Sequence, residues 1–123
     1  MTESVIRDVL ASERAATLAQ IEAIQAEFKA IVSSSVGANG DDEHDAEGST
    51  IAYERARVAA LLDQARSNLS DIDHALARLT AGHYDVCERC HGQIAAARLE
   101  ARPAGRTCYD CAQAEAAQGR IWR

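Results

Sequence analysis

The chain has 123 residues, a formal net charge of −6, and a hydrophobic content of 47%. That content is swollen by alanine: one Phe, one Trp and three Tyr leave few large side chains for a compact core, and a domain of this size is already marginal. The composition suits long helices packed side by side, and the acidic balance argues against non-specific binding to a nucleic-acid backbone.

The N-terminus, MTESVIRDVL, has no basic start followed by an apolar run, so no secretory leader is expected. No stretch approaches the roughly 18 apolar residues of a membrane helix. These features assign the chain to the cytoplasm, where thiols stay reduced. The acidity is uneven. Residues 1–50 carry ten acids and three bases, 51–80 four of each, and 81–123 five acids and six bases.

Ile6, Leu10, Leu18, Ile21, Ile24, Phe28 and Ile31 predict a helix over about 4–33. From Ile21 onward their spacing of three, four, three makes one helical face. Thr2 is a candidate N-cap. Residues 34–50 are rich in Ser, Gly, Asn and Asp and read as an acidic loop, with Ser49 or Thr50 capping the next helix.

The second helix is expected over about 51–80. Val58, Leu62, Ala65, Leu69, Ile72, Leu76 and Leu79 alternate at four and three, a heptad seam over three repeats. Thirty residues of helix span about 45 Å. Neither helix is stable alone, because each must cover its stripe. The economical arrangement is an antiparallel hairpin over 1–80 with its tip at 34–50. Gly82 is expected to end the second helix, and Gly119 to break a short helix near the C-terminus.

All four cysteines fall between Cys87 and Cys111, spaced C-x2-C-x17-C-x2-C. Each CxxC turn presents two sulfurs to one ion, and two such turns 15 to 20 residues apart make the four-cysteine zinc pattern. Cys87, Cys90, Cys108 and Cys111 are therefore read as ligands of one structural Zn2+. A thiol oxidoreductase is the rival, but its CxxC belongs beside a βαβ pattern, and none is present. A zinc switch released by oxidation also stays open. His91 adjoins Cys90 but reads as a surface histidine, as do His44, His74 and His83.

YDVCERC, RLEARP and TCYDCA (residues 84–90, 98–103 and 107–112) resemble the zinc-finger segment of the DksA/TraR family of bacterial transcription regulators. The resemblance covers about residues 35–115. It implies a protein that binds bacterial RNA polymerase and not DNA. Its coiled coil enters the secondary channel with an acidic tip near the catalytic centre, and its finger and C-terminal helix hold the rim. Initiation then changes at sensitive promoters, often together with guanosine tetraphosphate in the stringent response.

The family's tip pattern is Asp-x-x-Asp-x-Ala. Asp42 and Asp45 match it, while Glu47 stands in the alanine position and Ala46 comes one place early. Arg98, Arg102, Arg120 and Trp122 are the candidates for rim contact. Of the basic residues that hold the nucleotide in the family, Arg102 is matched. Asp71 and Ala112 replace the other two, so weak or no nucleotide binding is expected. Ile6, Val9 and Leu10 are expected to pack the base of the hairpin, against Leu99 or the tail.

The expected fold is mostly α: an antiparallel coiled-coil hairpin over 1–80, then a four-cysteine finger with a short C-terminal helix over 81–123. The expected function is non-enzymatic regulation of RNA polymerase. The rival is an adaptor of the same fold with a different protein partner. Direct DNA binding would need a basic face, which the +1 charge of residues 81–123 does not supply.

Overall fold

The computed structural model describes residues 2–38 and 45–121, with side chains left out at 34–38, 45–49, 120 and 121. Four helices follow in order: α1 (Glu3–Ala38), α2 (Asp45–Ala81), α3 (Ala96–Ala101) and α4 (Tyr109–Ile121). The fold is mostly α, as expected. No described helix is long and apolar enough to cross a membrane.

Thr2 caps α1: its Oγ1 accepts the backbone N–H of Val5 at 3.4 Å. α1 runs on to Ala38 and does not stop near 33. α2 starts at Asp45, so Ser49 and Thr50 lie inside it and not at its N-cap. Extending a formed helix adds one hydrogen bond per residue fixed. The propensity penalties of Ser, Thr and Gly, each about 1 kcal/mol or less, do not cancel that gain. The same reasoning covers Gly119, which α4 passes through without breaking.

The chain forms two compact units, Ala15–Leu69 and Met1–Arg14 with Ser70–Arg123. In the first, Ile21 and Ile24 of α1 meet Val58 and Ala65 of α2, flanked by Phe28, Ile31, Leu62 and Leu69. Glu27 and Arg57 pair at 3.0 Å on the surface, a contact worth no more than about 1 kcal/mol. Apolar burial therefore holds this unit.

In the second unit, Leu10 packs with Ile72, Ala75 and Leu79 of α2 and with Tyr84, Cys87, Ile94 and Leu99 of the cysteine-bearing segment. The finger thus shares one core with the adjoining helix ends. Leu10 meets the cluster that holds Leu99, as the sequence predicts. Arg14 pairs with Asp73 at 2.7 Å, and Arg7 reaches Glu3 and Thr80. Rising numbers on α1 meet falling numbers on α2, so the helices run antiparallel here.

Candidate metal centre

α2 is stopped by Gly82, which adopts φ +83°. The N–H of Gly82 reaches the carbonyl of Leu79 at 3.2 Å, and that of His83 reaches Arg78 at 2.8 Å. Together they close the helix in a Schellman motif. A left-handed residue is needed at that point, and glycine takes it without Cβ strain. The reversal aims the chain through Tyr84 into the first cysteine pair. Tyr84 is buried and its hydroxyl donates to the carbonyl of Pro103 at 2.7 Å, tying this arm to the one that returns. Burial also raises its pKa above the ordinary phenol value.

The first arm folds back on itself. The Cys87 N–H donates to Gly92 O at 2.7 Å, His91 N–H to Cys87 O at 2.9 Å, and Ile94 N–H to Asp85 O at 2.7 Å. His91 takes φ +63° to make the turn, a region that non-glycine residues seldom visit. The Gly92 N–H points at Cys90 Sγ, 3.4 Å away. A Cβ at Gly92 would stand 3.3 Å from the same sulfur, so the tight approach favours glycine. In the second arm, the Ala112 N–H donates to Cys108 O at 3.0 Å. Cys108 therefore sits at the start of α4, with Cys111 one turn on. The Cys108 N–H points at Cys87 Sγ, at 3.3 Å.

The four sulfurs lie within 4.8 Å of one another, and Cys90 Sγ and Cys108 Sγ are 3.9 Å apart. A tetrahedron with zinc–sulfur arms of about 2.3 Å has edges of about 3.8 Å. The donor set, spacing and backbone N–H groups aimed at sulfur all fit one zinc ion. The cysteines supply four protein ligands and leave no open position, so the ion is structural. Bound there, it cross-links the two arms and adds folding energy that so small a segment cannot obtain from burial.

In the metal-free cluster the thiols differ. Cys87 is pulled down to about 6, mainly by the backbone N–H of Cys90, with burial opposing. Cys111 is pushed up to about 12, mainly through its side-chain hydrogen bond with Cys108, with burial adding to it. The thiols titrate as a group, and a zinc ion must displace the protons they hold.

The remaining candidates scatter. Arg98 is half-buried and its Nε donates to Thr107 O at 2.9 Å, inside the finger. Arg102 is exposed at the end of α3, with its backbone N–H on Arg98 O. Asp71 pairs with Arg106 at 2.6 Å, and Ala112 is half-buried on α4. Asp42 and Trp122 lie outside the described residues. Asp45 and Glu47 fall in the first turns of α2 and Arg120 in the last turn of α4, with their side chains outside the description.

Sequence reasoning passed over Arg78, which is 8% exposed and donates to four backbone carbonyls. It also passed over the pairing of His74 with Glu88. That hydrogen bond is the main reason the Glu88 carboxyl sits below its ordinary pKa. No periodicity marks either residue, since both act on loop backbone or across elements.

Residues 80–115 match the model of the prokaryotic DksA/TraR C4-type zinc finger. The chain is 38% identical over 66 residues to the uncharacterized protein YteA of Bacillus subtilis (strain 168), a stretch covering 54% of this chain and 28% of that protein. It is 43% identical over 47 residues to an uncharacterized protein of Aquifex aeolicus (strain VF5), covering 38% of this chain and 32% of that one. The match thus spans less than a third of these two relatives. The structure of transcription factor DksA2 from Pseudomonas aeruginosa resembles this fold with a TM-score of 0.77 and 26% identity, over 96% of this chain and 85% of that one. Residues 80–115 are thus similar to the DksA/TraR C4-type finger, on a chain whose fold is similar to that of DksA2 over 96% of its length, and together these support a DksA/TraR-type protein.

Proposed function

We propose that the chain is a non-enzymatic transcription regulator that binds bacterial RNA polymerase directly. The observation that carries this reading is the likeness in fold, over 96% of the chain, to a protein described as a transcription factor. In this reading the paired helices α1 and α2 enter the secondary channel. Asp42, Asp45 and Glu47 lie between or at the facing ends of those helices in sequence. They act near the catalytic centre, where closely placed carboxylates meet a metal ion or basic groups. The finger and α4 hold the rim, with Arg102, Arg120 and Trp122 as contacts. Arg98 is a weaker contact, because its Nε is engaged within the finger.

Guanosine tetraphosphate binds weakly or not at all in this reading. Asp71 places a carboxylate where a base is needed, and its ion pair occupies Arg106. Ala112 adds no charge.

The test is binding to purified core RNA polymerase, with and without a competitor that fills the secondary channel. Micromolar or tighter binding that the competitor displaces supports the reading. An Asp42→Asn, Asp45→Asn double variant should still bind and should lose its effect on transcription. A folded, zinc-loaded protein that does not bind sinks the polymerase reading and leaves an adaptor with another partner.

A further inference from the structure

The zinc ligands sit on two arms that are far apart in sequence and carry little apolar surface of their own. Something must bring the arms together before or while the metal is captured. Arg78, one turn before the end of α2, is placed to do so. Its guanidinium donates to His83 O at 3.2 Å and Tyr84 O at 3.1 Å, and also to Val86 O. All three carbonyls lie on the arm that leads into Cys87. The same group donates to Gly105 O at 3.2 Å, on the arm that leads into Cys108. Its Nε lies 3.6 Å from Glu88 Oε1. Directly beside this network the two arms touch, with Glu88 N–H on Arg106 O at 2.9 Å.

A buried cation is costly unless its donors are satisfied. Here backbone carbonyls do so, and no described buried side-chain nitrogen or oxygen lacks a partner. Nη2 serves the first arm and Nη1 the second. A lysine carries its three N–H donors on one nitrogen and lacks this fixed spread across both arms.

We propose that Arg78 is a positioning residue of the zinc site: its fork gathers the two cysteine arms against the end of α2 and sets their geometry for the metal. Zinc then binds a site whose ordering is already largely done, and this raises its affinity as preorganisation does for any ligand. The linkage is reciprocal, so zinc in turn tightens the arms on α2.

The experiment measures zinc affinity of the full chain by competition with a chromophoric chelator, and the absorption of the Co2+ form as a report on ligand geometry. Helicity of each zinc-loaded protein confirms its fold. Arg78→Met should weaken zinc binding at least tenfold and broaden the Co2+ bands. Arg78→Lys should lose nearly as much, because the charge remains while the fork is gone. Arg106→Gln, which removes the half-buried pair with Asp71 and keeps the backbone contact to Glu88, should change affinity less than threefold.

Wild-type affinity in either Arg78 variant overturns the proposal. So does a loss in Arg106→Gln as large as that in Arg78→Met, since it would show general loosening. Amide exchange on zinc-stripped wild-type protein decides independently of whether the variants fold. Glu88, whose N–H joins the two arms, and Ile94, whose N–H folds the first arm on itself, should stay protected without zinc. Free exchange at both would overturn the proposal.

Discussion

Leu10→Ala tests whether the start of α1 and the finger share one core. Leu10 is 0% exposed and packs in the cluster containing Ile72, Ala75, Leu79, Tyr84, Cys87, Ile94 and Leu99. Truncation removes most of a buried side chain and leaves a cavity among residues from three segments, where collapse is hindered. Leu→Ala changes at such sites cost about 3 kcal/mol. For a chain of this length that lowers the melting midpoint by about 12 °C, at roughly 4 °C per kcal/mol. Leu18→Ala is the control. It changes the same residue type on the same helix, but at 39% exposure, and should cost within about 1 kcal/mol. Urea melts followed by helicity measure both, at one fixed free-zinc concentration. Zinc must be fixed because a hundredfold excess over its Kd adds about 2.7 kcal/mol by itself. A Leu10→Ala cost below about 1 kcal/mol, with an unchanged denaturant slope, would refute the shared core.

Gly82→Ala should destabilise by about 1 kcal/mol, all of it from the backbone, because φ is +83° and the added Cβ meets nothing within 4 Å. Gly119→Ala, inside α4 with equally open surroundings, should instead stabilise by about 0.5–1 kcal/mol; denaturant melts of the pair check the contrast in sign. For the zinc-stripped protein, thermal midpoints across pH report the thiols. Cys87 titrates near 6 when folded against an ordinary 9.0. The unfolded chain then holds the extra proton between those values, and stability rises with pH from about 6 to 9. Cys111, raised to about 12, reverses the sign above 9, so the midpoint should peak near there; a monotonic rise through pH 11 would contradict this assignment. Asp71→Asn breaks the pair with Arg106, whose partners are both half-exposed, and should cost about 1 kcal/mol by the same melts.

What the sequence made legible was what rests on spacing. Val58, Ala65, Ile72 and Leu79, seven residues apart, are all buried, and the intervening Leu62, Leu69 and Leu76 are half-buried, as a heptad seam requires. The cysteine pattern foretold the metal centre because ligand chemistry leaves few alternatives for two CxxC turns. Gly82 stopped α2 because only its conformational freedom suits a left-handed cap. Helix ends were misread where Ser, Thr and Gly sat beside a formed helix, since local propensity there is weaker than the gain from extension. Spacing alone does not show what the finger packs against: its apolar groups Tyr84, Ile94 and Leu99 share one core with Leu10, Ile72 and Leu79.

Arg78 marks the limit of reading by pattern. It lies between Leu76 and Leu79, where an arginine reads as part of the solvated face. Its burial is fixed by carbonyls of residues 83, 84, 86 and 105, whose positions exist only once both arms have folded. The dependence runs both ways, because those carbonyls need a donor as the arms close and the guanidinium needs them to offset its own desolvation. Neither the arginine nor the loops carry the information alone. A helix terminus that holds a loop-built metal site is therefore best sought by asking where the loop's backbone acceptors find their donors. In this chain that accounting leads from the cysteines back to a single residue on α2.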